Sequence, residues 1–276
     1  PVKRASYYLG TTTMKKPRAN GDIRKKRFRG LSLNHMIPNM LTLLALSAGL
    51  TAIRFALDGK WEHAAMAIVV AGILDALDGR IARLLKGASK FGAELDSLSD
   101  FVCFGVSPAL ILYLWTMRDA GRLGWVVVML FAICCGLRLA RLNVMMEDPD
   151  APPWKSRFFT GIPAPAGGGL ALLPIALSFQ FGDGFFRQSW VAGVVLLVVG
   201  GMMVSAIPTY SFKNLKISRG WILPTMLIAG AVIILLINAP WITLSVIGFA
   251  YIASFPISIR DHKALINADK DASPKS

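Results

Sequence analysis

The chain has 276 residues, of which 54% are hydrophobic and only 17% charged, and its formal net charge is +14. Soluble domains carry about 25% charged residues, so an ordinary soluble protein is excluded, and long apolar runs exclude a disordered one. The positive charge reads as the basic face of a membrane protein, not as a nucleic-acid footprint, because the basic residues sit in short connectors between those runs.

Residues 1–36 are expected to form a basic cytoplasmic tail followed by an interfacial amphipathic helix. The first 22 are polar, and the first 30 lack the apolar stretch of a signal peptide. Over 23–36, Ile23, Phe28, Leu31, Leu33 and Met36 alternate with Arg24, Lys25, Lys26, Arg27 and Arg29, a pattern suited to anionic headgroups. Eight apolar segments follow, near 39–57, 61–85, 91–116, 123–142, 163–179, 189–207, 221–238 and 240–258. Several reach the ~20 residues that cross a hydrocarbon core as a helix. The expected fold is therefore all-α: a polytopic membrane bundle of about eight transmembrane helices. Residues 260–276 form a second cytoplasmic tail.

Basic residues test this arrangement. With eight spans both termini share a side, and the tails and connectors on that side hold 25 Lys and Arg. The opposite connectors hold only Lys60, Arg118, Arg122 and Arg187, while Arg54, near an outer helix end, can snorkel. Both termini are thus expected in the cytoplasm. Cys103, Cys134 and Cys135 fall inside apolar runs without metal-ligand spacing and read as small core residues.

Apart from Glu62 at the outer end of the second segment, five acidic residues lie in the second and third segments: Asp75, Asp78, Glu94, Asp96 and Asp100. Carboxylates in apolar helices are costly and usually functional. At 100° per residue, Asp75, Asp78, Gly79 and Ala82 share a face, with Arg83 on its flank. Gly92, Asp96, Asp100, Cys103 and Ser107 form a stripe on the next helix, and Glu94 points elsewhere. The polar turn at Lys86–Lys90 makes the two helices antiparallel neighbours, so the acidic faces can meet. Four converging carboxylates need compensating cations, and an all-oxygen set favours two Mg²⁺ or Mn²⁺ ions, with Ca²⁺ an alternative. Such a pair with open coordination positions suits displacement at phosphorus. Asp78 follows Trp61 by 17 residues, or about 26 Å of helix, which sets the site at the cytoplasmic edge of the membrane.

The run Asp75-Ala-Leu-Asp78-Gly79-Arg-Ile-Ala82-Arg83, then Gly92, Asp96 and Asp100, resembles the signature of the CDP-alcohol phosphatidyltransferases at every fixed position. The resemblance implies that Asp75, Asp78 and Asp96 bind metal and that Asp100 completes the metal site and serves as general base. It also implies that Gly79, Ala82, Arg83 and Gly92 line the CDP site and that the protein is a homodimer. The catalytic core of six helices is expected over 37–216, with two further transmembrane helices over 217–259.

Flanking segments are similar to members of that family whose acceptor is serine. They are Pro38-Asn39-Met-Leu-Thr42, Phe104-Gly105-Val-Ser107-Pro108, Arg138-Leu-Ala-Arg141-Leu-Asn143, Phe159-Thr160-Gly161-Ile-Pro163 and Pro208-Thr-Tyr-Ser211-Phe-Lys213. The expected substrates are CDP-diacylglycerol and L-serine, in a bacterial inner membrane. Serine brings a carboxylate that needs donors, and Arg138, Arg141, Asn143, Ser211 and Lys213 are candidates. Asn39 and Thr42 are placed to hydrogen-bond nucleotide or phosphate, or to cap the first helix. Glycerol 3-phosphate, inositol phosphate and choline are the alternative acceptors. A cation-coupled transporter, the alternative class, would spread its acids through the membrane depth.

Overall fold

The computed structural model describes residues 33–85, 87, 89–146, 158–205, 208–210, 222–255 and 260. The expected interfacial helix over 23–36 lies almost wholly outside them. The described chain is helical apart from one short strand pair. Its helices are α1 (Leu33–Leu57), α2 (Trp61–Leu84), α3 (Lys90–Asp100), α4 (Ser107–Trp115), α5 (Gly121–Met146), α6 (Ala164–Ala171), α7 (Leu173–Phe181), α8 (Asp183–Phe186), α9 (Ser189–Val204), α10 (Ile222–Asn238) and α11 (Pro240–Ala253). A π-helical turn, Phe101–Val106, joins α3 to α4, and a 3₁₀ turn, Met117–Ala120, precedes α5.

Each of the eight expected segments contains helix. Four stretches are long and apolar enough to cross a membrane: Met36–Leu57, Lys90–Trp115, Met117–Met145 and Ala164–Phe181. They mark the chain as a membrane protein. Helix α2 is 24 residues long but carries Asp75, Asp78, Arg80 and Arg83 in its second half. Helices α9, α10 and α11 are shorter, at 16, 17 and 14 residues.

Local chemistry explains where boundaries moved. Helix α1 begins at Leu33, upstream of the expected start, and runs through Pro38. Pro38 is the sixth residue of the helix, where its missing N–H leaves one i→i−4 hydrogen bond unmade. The fifth segment breaks between α6 and α7 at Leu172, just before Pro174, whose ring cannot continue an α-helical ladder. Strands β1 (Phe158–Thr160) and β2 (Pro208–Tyr210) form an antiparallel ladder pairing Phe159 with Thr209, which was not expected of an all-α chain. It clips the segment before α6 to the segment after α9.

Helices α1 and α2 form a hairpin closed at Gly59, whose φ of 73° suits a residue without a side chain. The α3–α4 rod packs on α1 through hydrogen bonds to backbone carbonyls. Ser99 Oγ donates to Thr42 O (3.3 Å), Cys103 Sγ to Ala45 O (3.3 Å) and Ser107 Oγ to Gly49 O (3.0 Å). Gly49 permits this approach: a Cβ there would lie 2.6 Å from Cys103 Sγ. Helix α5 lies along α9, and α11 along α7. Phe104, Phe131, Ile111, Leu112, Ile175 and Leu196 are fully buried at the centre. Leu50, Leu98, Ile133, Leu137 and Ile234 are exposed, as a lipid-facing surface requires.

Gly168 of α6 sits against the backbone of Phe104, where a Cβ would be 3.0 Å from Phe104 Cα. Because a backbone atom cannot move aside cheaply, Gly168→Val should cost about 1–3 kcal/mol. A lowered unfolding midpoint in detergent would register it. Gly201→Ala, which meets nothing within 4 Å, should leave that midpoint unchanged or raise it.

Candidate active site

The site forms where α1, α2, α3 and α5 meet at their charged ends. Ser89 starts α3 as its N-cap, its hydroxyl accepting from Gly92 N–H at 3.0 Å. From that start the helical period carries Asp96 and Asp100 toward α2. Asp75, Asp78 and Asp96 offer carboxylate oxygens that all lie within 4.8 Å of one another. Asp100 stands beside this triple, its carboxyl in hydrogen-bonding reach of Asp75. The four aspartates thus converge as their spacing implies, with Asp100 on the inner side.

The donors fit a divalent cation. They are all oxygen, three of them meet at one point, and oxygens on opposite sides of a single Mg²⁺ or Ca²⁺ lie about 4–5 Å apart. Asp78 is only 4% exposed and is held from behind by Thr42, also 4% exposed. Thr42 Oγ1 donates to Asp78 Oδ2 at 2.6 Å and also lies 3.1 Å from Pro38 O. The structure places Thr42 behind a carboxylate of this cluster, where its hydroxyl fixes the direction of one carboxylate oxygen.

The two glycines of the signature stand in different surroundings. Gly79 is exposed, and a Cβ there would meet nothing within 4 Å, so the helix backbone is open to a ligand. At Gly92 a Cβ would lie 2.9 Å from Asn39 Oδ1, so the missing side chain admits Asn39 to the rim of the site. Ala82 is half-buried, and Arg83 is exposed with Nε donating to the Gly79 carbonyl at 3.0 Å. Glu94 is exposed and stands apart from the cluster.

Of the basic and amide candidates among the described residues, Arg138 alone is buried. It is 8% exposed, and its charge interacts with Asp100 and Asp75 on one side and with Tyr251 of α11 on another. Asn143 hydrogen-bonds with Ser97, its Nδ2 donating at 3.1 Å, and so ties α5 to α3 beside Asp96. Arg141 is exposed and its Nη1 donates to Val204 O, 3.3 Å away, at the C-terminal end of α9. Ser211 and Lys213 lie outside the described residues. Tyr251 was not anticipated. Its signal was a phenol within a largely apolar helix.

Comparison with known proteins agrees with this geometry. The family model described as CDP-alcohol phosphatidyltransferase matches residues 35–204. The chain belongs to the CDP-alcohol phosphatidyltransferase family. A second model, CDP-alcohol phosphatidyltransferase 2, matches residues 220–256, which include α10 and α11. The chain is similar to the CDP-diacylglycerol–serine O-phosphatidyltransferase of Mycobacterium tuberculosis (strain ATCC 25618 / H37Rv), with 39% identity over 240 residues, 86% of this chain and 82% of that protein. It is similar to the Helicobacter pylori (strain ATCC 700392 / 26695) protein of the same name, with 38% identity over 184 residues, 66% of this chain and 75% of the relative. The archaetidylserine synthase of Methanothermobacter thermautotrophicus is 30% identical over 173 residues, 62% of this chain and 68% of its own. As a CDP-alcohol phosphatidyltransferase, the chain carries its signature aspartates on the two helices that face each other here.

If Thr42 orients Asp78, Thr42→Val should weaken Mn²⁺ binding about tenfold, the lower end of what losing such a partner costs. Thr42→Ser, which keeps the hydroxyl, should bind nearly as wild type. Titration of Mn²⁺ followed by electron paramagnetic resonance measures both.

Proposed function

We infer that the chain transfers the phosphatidyl group of CDP-diacylglycerol to the hydroxyl of L-serine, yielding phosphatidylserine and CMP. The observation that carries this reading is the convergence of Asp75, Asp78 and Asp96, with Asp100 and Arg138 beside them. The names of the relatives support serine as acceptor.

Asp75, Asp78, Asp96 and Asp100 would hold two divalent cations, Mg²⁺ or Mn²⁺. When bound, these supply electrostatic stabilisation to the diphosphate and to the charge that develops on departing CMP. The open backbone at Gly79 receives the diphosphate, with Ala82, Arg83, Gly92 and Asn39 along the nucleotide's path. Arg138 pairs with the serine carboxylate and holds the amino acid near Asp100, and Asn143 extends that pocket. Asp100 takes the hydroxyl proton as the serine oxygen bonds to the lipid-side phosphorus. The phosphorus–oxygen bond to CMP breaks in the same displacement, and no covalent enzyme intermediate is needed.

In this reading the protein has eight membrane spans, with both termini and the site on the cytoplasmic side of a bacterial inner membrane. It works as a homodimer. Residues 37–216 form the catalytic core and 217–259 add two helices. The segregation of basic residues supports the orientation.

Purified protein given CDP-diacylglycerol, L-serine and Mn²⁺ or Mg²⁺ should release CMP in amounts matching the phosphatidylserine formed. Chelation should stop the release and either ion should restore it. Release without serine, or only with glycerol 3-phosphate, would refute the acceptor. Asp100→Asn should lower kcat by roughly 10²–10⁴-fold, the usual worth of a general base. Arg138→Lys retains the charge but loses the planar fork, so it should raise the KM for serine more than that for the lipid. Steady-state kinetics with each substrate varied in turn separates the two constants.

A further inference from the structure

An apolar cavity of about 290 Å³ lies away from the charged end of the bundle. Its walls come from α2 (Val69, Gly72), from Phe104, from α6 and α7 (Gly169), and from α11 (Leu244, Tyr251). On α2 the positions 68, 72, 75 and 79 fall on one face at helical spacing. Ile68 and Gly72 of the cavity are therefore in line with Asp75 and Gly79 of the site.

Two absent side chains keep that face open. Gly79 has nothing within 4 Å of a Cβ, and at Gly72 a Cβ would meet only the ring edge of Phe104, 3.7 Å away. Tyr251 lines the cavity and lies within electrostatic range of Arg138. The far wall is fixed. Trp241 packs on Phe179 with ring centroids 4.7 Å apart, and Gly248 brings α11 onto Leu173.

We propose that this cavity holds one acyl chain of the nucleotide-activated lipid, and that α11 is the wall that decides which chains fit. The proposal rests on the transfer reaction above. A diphosphate at the aspartates has its ester-linked tails on the membrane side, and the face through Asp75 and Gly72 leads from that point into the cavity. The cavity descends past Gly72 to Ala65, seven residues or about 10 Å of helix. A lipid with its headgroup elsewhere would enter without using this face. Residues 240–253 lie beyond the span matched by the first family model, so the helix that closes the chamber is separate from that segment.

Gly169 points into open space in the cavity, so Gly169→Leu fills it. The measurement is kcat/KM for donors with two hexadecanoyl chains against donors with two hexanoyl chains. The long-to-short ratio should fall about tenfold or more in Gly169→Leu, within the range of a blocked hydrophobic pocket. Leu244→Ala, which enlarges the far wall, should move the ratio the other way. Equal loss for both donors, or an unchanged ratio in both variants, would overturn the proposal. A second measurement needs binding alone. CDP-diacylglycerol carrying a mid-chain diazirine, irradiated without serine, should label α2 and α11, and unlabelled CDP-diacylglycerol should suppress the labelling. Labelling of those helices by a matching phosphatidylcholine probe, undiminished by CDP-diacylglycerol, would assign the cavity to a bilayer lipid and refute the proposal. Suppressible labelling in a protein that releases no CMP with serine would uphold the cavity and refute the acceptor.

Discussion

Charge gathered inside an apolar bundle is the constraint on which the structure depends. Asp75, Asp78, Asp96 and Asp100 converge between helices whose outer faces are hydrocarbon. Carboxylates this close are tolerable only when cations and hydrogen-bond donors surround them. The neighbouring elements answer that need. Helix α1 supplies the Thr42 hydroxyl to Asp78, and α5 supplies the Arg138 charge beside Asp100. The tight α1–α2 hairpin and the serine and cysteine contacts to α1 carbonyls hold those donors in place.

Those carbonyl contacts matter more in lipid than they would in water. Between membrane helices little hydrophobic force acts, because lipid tails are as apolar as the side chains they replace. Association then rests on close packing and on polar contacts. Ser99, Cys103 and Ser107 provide both along one line, and Gly49 and Gly168 let backbones approach on either side of the same rod. The rod that carries Asp96 and Asp100 is thus anchored to α1 along its length.

Much of this was readable from the residues. The 3- and 4-residue intervals among the aspartates sufficed to put them on facing stripes, because helical period is a local property. Eight helical segments were likewise visible as apolar runs. Contacts between helices were not. Thr42 could be read as a cap or a phosphate ligand, and only the packing of α1 on α2 turns it onto Asp78. Arg138 and Arg141 looked equivalent at three-residue spacing, yet one is buried beside Asp100 and the other reaches Val204 at the end of α9. The β1–β2 ladder escaped notice because three-residue strands leave no periodicity to detect. Tyr251 escaped because Arg138 lies more than a hundred residues away in the chain.

The π-helical turn after Asp100 has a consequence for how the protein tolerates change. A π turn inserts one residue into an α-helical ladder, so the Lys90–Trp115 rod consists of two α segments out of phase with each other by about 100°. The phase of α3 aims the aspartates, and the phase of α4 seats Ser107 on Gly49. The widened turn acts as a fixed gearing between them. Losing a single residue within Phe101–Val106 would let the ladder close to ordinary α geometry and force a choice between aiming and anchoring. The length of this stretch is therefore as much part of the active site as the acids that precede it.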